Sequence, residues 1–188
     1  MSVFTAYPYS RGKIHITSRS DVLNGYEFDA GFLSHQSDLK KQLWGYKVSR
    51  EIFRRMPFYK GEVELGHPKF RAGSKAALVT AGDLQTGTPN LEVANIQYDE
   101  QDDTAIENRI RANLKSTWHS MGTCAMRPRK EGKGGVVDGD LNVYGTVGLK
   151  VVDMSIAPQK VGANTYNTAL AIGENAALII GRELGLEV

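Results

Sequence analysis

The chain has 188 residues, 41% apolar and 23% charged, which is long enough for a core of its own and has a globular profile. A net charge of +2 is too small for nucleic acid to be the main partner, and no apolar run approaches the roughly 20 residues of a membrane span. The single Cys124 excludes an internal disulfide and points to a reducing, intracellular compartment. The N-terminal MSVFTAYPYSRGK also lacks the apolar stretch of a signal peptide.

In chain order, GKIHITS (12–18) alternates as a strand does, with Ile14 and Ile16 on one face and Lys13, His15 and Thr17 on the other. DVLNGYEFDAG (21–31) is rich in turn formers. The spacing of Leu39, Leu43, Tyr46, Ile52, Phe53 and Met56 predicts a helix over 37–56, capped by Ser37 or Asp38 and stopped by Pro57. Residues 57–100, with Pro57, Pro68, Pro89 and several glycines, read as loops with short strands. A second helix is expected over 102–118. Asp102 or Asp103 would cap it, and Ile106, Ile110 and Leu114 share one face.

RPRKEGKGG (127–135) reads as a solvated loop. Residues 136–155 read as two short strands about a turn at Gly145–Gly148, the second of which, LKVVD (149–153), ends on the Asp153 carboxylate. The last helix is expected over 165–184, with Asn164 or Thr165 where an N-cap belongs and Ala169, Ile172, Ala176, Ile179 and Ile180 as its apolar stripe. The pattern as a whole is α+β.

The chemistry concentrates in STWHSMGTCAMRP (116–128), which holds His119 and Cys124 close together. Three roles are open to His119. It can be a packed structural histidine. It can be a metal ligand with Cys124, although structural zinc asks for four such ligands and His15, His35 and His67 lie in dispersed segments. It can be a general base, for which an imidazole titrating at about 6.5 is well suited. Cys124 as a nucleophile would have only Arg127 nearby to favour its thiolate. The chain has no glycine fingerprint for a nucleotide and no metal-ligand set, so redox chemistry would require a bound organic cofactor.

WHSMGTCAMRP (118–128), GVVDGDLNVYGTVGLKVVDMSIAP (135–158) and GANTYNTALAIGENAALII (162–180), preceded by YPYSRGKIHITS (7–18), resemble the C-terminal part of the glucose–methanol–choline oxidoreductases. Trp118 before the histidine and VGANTY (161–166) are most similar to the fungal alcohol oxidases of that family.

The resemblance implies an antiparallel sheet flanked by helices, plus the returning strand and helix of a flavin domain. A substrate-binding region would cover 1–134 and a flavin-contacting segment 135–188. The implied cofactor is FAD, the implied substrate a short primary alcohol, and the implied electron acceptor oxygen, giving aldehyde and hydrogen peroxide. His119 would take the hydroxyl proton, Asn164 would bond the substrate oxygen, and Trp118 would form a wall of the pocket. Asp153, Asn164 and Thr165 would lie against the flavin, where the positive end of a helix favours negative charge. Arg11 is expected to be structural, pairing with a carboxylate. No metal, nucleic acid or membrane is implied.

Other readings are a choline-type dehydrogenase with a different acceptor, and an inactive fragment or interaction module. The family's nucleotide-binding half precedes this region in longer chains, so the chain alone is expected to be incomplete. Family alcohol oxidases are often homo-oligomeric and typically peroxisomal, but ELGLEV (183–188) is not a Ser-Lys-Leu-type signal.

Overall fold

The computed structural model describes residues 2–81, 93–129, 134–162 and 164–187. Parts of the segments read as loops, 82–92 and 130–133, lie outside the described residues, as does residue 163 within VGANTY. The elements in order are β1 (Lys13–Ile16), β2 (Tyr26–Asp29), α1 (Gln36–Arg54), a 3-10 turn at Glu64–Gly66, α2 (Glu100–Asn113), a second 3-10 turn at Met154–Ile156, and α3 (Tyr166–Glu183). They fall into two compact units. One comprises Met1–Thr5 and Phe32–Lys115, the other Ala6–Gly31 and Ser116–Val188.

The first unit is built on α1 and α2, and both helices start earlier than their sequence signals suggest. The His35 ring accepts from the Ser37 N–H at 3.2 Å and caps α1, a task expected of Ser37 or Asp38. Asp99 caps α2 by accepting from the Gln101 and Asp102 N–H groups. The Asp102 carboxylate returns the bond to the Asp99 N–H, completing a capping box. Asp102 is thus the third helical residue rather than the cap. α2 also ends at Asn113, short of the expected 118, because Leu114 is already extended at φ −64°, ψ 136°.

The buried face of α1 differs from its apolar stripe. Ile52 and Phe53 are exposed, whereas Asp38, Leu39, Gln42, Gly45 and Arg50 are buried. Arg50 decides this. Its guanidinium is 1% exposed and bonds both Glu62 carboxylate oxygens, at 2.6 and 2.7 Å, as well as the Ala76 carbonyl and the Tyr98 hydroxyl. The Tyr46, Phe70 and Tyr98 rings surround it at 5.3–5.9 Å. A buried charge persists only with such partners, so the helix turns its cation inward and leaves Ile52 and Phe53 outside.

In the second unit β1 and β2 pair antiparallel, with Ile14 opposite Phe28 and Ile16 opposite Tyr26. β1 alternates as expected, but β2 occupies a stretch read as turn. Its Tyr26 and Phe28 alternate with Glu27 and Asp29, a period-two signal hidden between Gly25 and Gly31. Arg11, expected to meet a carboxylate, donates instead to the Pro8 and Ser10 carbonyls.

The core of this unit is Val137, Leu141, Ile156 and Ala176, packed with Met126, Val143, Val151, Ile172 and Ile179. Ile172, Ala176 and Ile179 are one face of α3, as the stripe predicts, while Ala169 lies exposed. The two strands expected over 136–155 are reduced to single bridges, Val137 to Val143 and Asn142 to Lys150. The chain turns too often for a ladder, with φ of 68° at Leu141, 80° at Gly145 and 70° at Gly148. Leu141 bears a backbone cost of roughly 1–2 kcal/mol. Burying its side chain to 2% exposure offsets this by about 1.5–3 kcal/mol.

Candidate active site

The candidate residues all belong to the second unit, around the start of α3. Thr165 takes the backbone N-cap position but makes no side-chain cap bond. Asn164, one residue earlier, supplies that bond, its Oδ1 accepting from the Tyr166 N–H at 2.9 Å. The Thr165 hydroxyl, on a residue 6% exposed, instead lies 2.8 Å from Nδ1 of His119. The Lys160 ammonium donates to the backbone carbonyl of the same His119. Burial pushes the Lys160 amine down from its ordinary value. Ring and backbone of His119 are therefore both held by the segment that leads into α3.

The loop carrying His119 is laid down by backbone bonds. The Cys124 N–H donates to the Ser155 carbonyl at 3.0 Å and the Met126 N–H to the Ile156 carbonyl at 2.8 Å. Gly122 has φ 89°, and a Cβ there would come within 3.3 Å of the Ala157 carbonyl, so a side chain at this position meets both backbone strain and crowding. Trp118, at φ 59°, precedes the histidine in a conformation that costs a residue with a Cβ roughly 1–2 kcal/mol. Its N–H donates to the Ser116 hydroxyl at 2.9 Å, and it is 89% exposed.

Asp153 caps the 3-10 turn at Met154–Ile156, accepting from the Ser155 N–H at 2.7 Å. The Ser155 side chain and backbone hold the Asp153 carboxyl below its ordinary value, so an anion stands there at neutral pH. An open cleft of about 470 Å³ runs along this carboxylate, lined by Ser120, Met121, Thr123, Val152, Asp153, Met154, Ser155 and Ala169. Ser120, which lines the cleft, directly follows His119 in the chain, while the His119 ring itself is not part of the lining. Trp118 is not among its lining residues.

The structure thus brings His119 and Thr165 into contact, with Asn164 adjacent to Thr165 in the chain, and sets Asp153 on a cleft that Ser120 and Ala169 of α3 also line. Sequence reasoning did not reveal the Thr165 contact with the ring, the Lys160 contact with the His119 carbonyl, or the cleft hydroxyls of Ser120, Thr123 and Ser155. No period or motif announces contacts made across 46 and 41 residues of chain.

Cys124 is a half-buried free thiol, and its nearest cationic neighbour in sequence, Arg127, donates to the Pro158 carbonyl. Among the described residues no group of three or more His, Cys, Asp or Glu side chains is placed to hold a metal ion, and no helix is long and apolar enough to cross a membrane. His67 bonds Tyr46 in the other unit, Nδ1 to hydroxyl at 2.8 Å.

A family profile described as GMC oxidoreductase matches residues 8–173. Alcohol oxidase 1 of Komagataella phaffii is 41% identical over 221 residues, covering 97% of this chain and 33% of that protein. The chain therefore spans about a third of the length of the curated alcohol oxidases it matches. Among solved structures, a fungal aryl-alcohol oxidase is 28% identical with a TM-score of 0.62, covering 95% of this chain and 24% of that one. An FAD-dependent oxidoreductase from Chaetomium thermophilum is 26% identical with a TM-score of 0.64, covering 96% and 26%. Helices with a small antiparallel sheet are what this fold requires, and the match runs through both units. The chain belongs to the GMC oxidoreductase family and corresponds to its C-terminal region.

Proposed function

We propose that this chain is the C-terminal part of an FAD-dependent alcohol oxidase acting on short primary alcohols, with His119 as the base. The observation that carries the reading is the attachment of His119 to the start of α3 through Thr165, with Asn164 one residue away. A base must be held in one orientation before it can serve a bound substrate, and this imidazole is tied at both ring and backbone.

The residues present fit a flavin. The Asp153 carboxylate is exposed and anionic and can accept from ribityl hydroxyls. The start of α3 presents the positive end of a helix, and the cleft beside it is open and part apolar. Asp153, Asn164 and Thr165 would hold the cofactor on this side. In this reading residues 135–188 form the flavin-contacting segment and residues 1–134 the substrate-binding region. FAD, when bound, accepts a hydride from the carbinol carbon and passes two electrons to oxygen, yielding hydrogen peroxide.

The protein's own part is proton handling and orientation. His119 Nε2 takes the hydroxyl proton as the C–H bond breaks, so the alcohol leaves as aldehyde and the imidazole as imidazolium. Asn164 keeps its Oδ1 on the helix and turns its amide N–H donors to the substrate oxygen, where negative charge develops. The names of the curated relatives favour oxygen as acceptor over a choline-type dehydrogenase.

The test places residues 8–173 in the matching region of the Komagataella phaffii alcohol oxidase and loads the product with FAD. Alcohol-dependent oxygen uptake, with one peroxide per aldehyde, is expected. A flavin-loaded product that makes aldehyde only with an added dye acceptor would point to the dehydrogenase, and one inert to alcohols would refute the assignment.

A further inference from the structure

Thr165 stands at the backbone N-cap of α3, where a threonine hydroxyl ordinarily accepts from an N–H of the first turn. It makes no such bond, because Asn164 has taken over the cap. The hydroxyl is thereby released from the helix and lies 2.8 Å from His119 Nδ1, on a residue 6% exposed. The Lys160 bond to the His119 carbonyl fixes the histidine backbone against the same segment, so the ring contact does not depend on a freely moving loop.

A hydroxyl can serve an imidazole in two ways. If the ring donates from Nδ1–H, Nε2 keeps its lone pair. If the hydroxyl donates to Nδ1, Nε2 carries the proton and cannot accept another. Only the first arrangement leaves His119 able to act as a base.

We propose that Thr165 is a positioning residue that accepts from His119 Nδ1–H and so holds the neutral ring in the tautomer whose Nε2 is free. The assignment rests on the base role of His119, since nothing else requires that tautomer. Thr165 acts through the histidine and makes no contact with the reacting atoms in this role. It accounts for the use of two adjacent polar residues where one helix cap would suffice. Thr165→Ser should preserve the role, and Thr165→Val, close in shape, should abolish it.

The experiment is nitrogen NMR of the histidine rings in the 188-residue chain with labelled histidine, above the pH at which imidazoles are protonated. The His119 signals are identified by their loss in His119→Gln. Free imidazole side chains in water prefer the proton on Nε2, so a proton on Nδ1 is a specific signature. In the unsubstituted chain and in Thr165→Ser, His119 is expected as the Nδ1–H form. In Thr165→Val it is expected to revert to mainly Nε2–H, while the Ala169 N–H bond to the Thr165 carbonyl still protects the first turn of α3 from exchange.

A His119 already mainly Nε2–H in the unsubstituted chain, or a tautomer unchanged by Thr165→Val, would overturn the proposal. If the valine variant loses α3, the unsubstituted chain and Thr165→Ser still decide the question. The readout needs no cofactor. A locked Nδ1–H ring combined with unimpaired alcohol oxidation in His119→Ala would sink the base role and leave the positioning contact standing.

Discussion

Arg50 and Glu62 form a two-pronged ion pair at 2.6 and 2.7 Å with side chains only 1% and 5% exposed. The pair ties α1 to the irregular chain that follows it, since Glu62 also accepts from the Val79 N–H at 3.1 Å. Removing one member strands a buried charge. Arg50→Met is expected to destabilise the first unit by about 3–5 kcal/mol. Arg50→Met with Glu62→Leu, which removes both charges, should recover most of that loss. Hydrogen exchange along α1 measures the difference, and equal losses in the single and double variants would contradict it.

The same network sets an acid limit on stability. Burial pushes the Glu62 carboxyl up, but the hydrogen bonds and charge of Arg50 outweigh it and hold the group below its ordinary 4.5. Burial holds the His67 imidazole below its ordinary 6.5, against the pull of Glu62. In both cases the unfolded chain binds the proton more tightly, so stability rises with pH. The His67 contribution is complete above 6.5 and fades as pH falls below it; the Glu62 contribution is complete above 4.5 and fades below that. Thermal unfolding from pH 8 to 3 should show two successive losses, with His67→Gln removing the upper one and Glu62→Gln the lower. A flat melting temperature between pH 7 and 5 in the unsubstituted chain would contradict the His67 assignment.

Asn164 has a structural task that can be separated from its proposed chemical one. Asn164→Asp keeps the oxygen that accepts from Tyr166 N–H and loses the amide donors. It should leave α3 stable yet slow alcohol oxidation in the flavin-loaded oxidase. Asn164→Ala loses both and should also cost α3 about 0.5–2 kcal/mol. Equal turnover in the aspartate variant and the parent would reduce Asn164 to a cap.

Trp118 combines a left-handed backbone with an 89% exposed ring. Trp118→Gly removes the Cβ conflict and, after the entropy cost of glycine, is expected to stabilise the chain by about 1 kcal/mol. If the indole narrows the pocket in the flavin-loaded oxidase, the variant should also shift preference toward longer alcohols. Thermal unfolding and relative rates on short and long alcohols check the two halves separately.

The sequence was most legible where one physical signal dominated. The α3 stripe at 172, 176 and 179 follows directly from burial periodicity, and β1 forms where its residues alternate, although all four of them are exposed. The four ordered motifs sufficed to name the family. Illegible features were those in which a polar group replaced the expected apolar one. The buried face of α1 follows Arg50 and its distant partner Glu62, and its cap is a histidine. At the candidate site, Asn164 and Thr165 were readable as neighbours of a helix start. Their division of labour was not, because either residue can cap and only contact with His119, 46 residues away, distinguishes them.

The most direct test of His119 as the base is the rate of alcohol-driven flavin bleaching without oxygen, in the FAD-loaded oxidase carrying residues 8–173. His119→Ala should keep its flavin and bleach ~10²–10⁴-fold more slowly. An unchanged bleaching rate with flavin fully bound would show that the proton goes elsewhere.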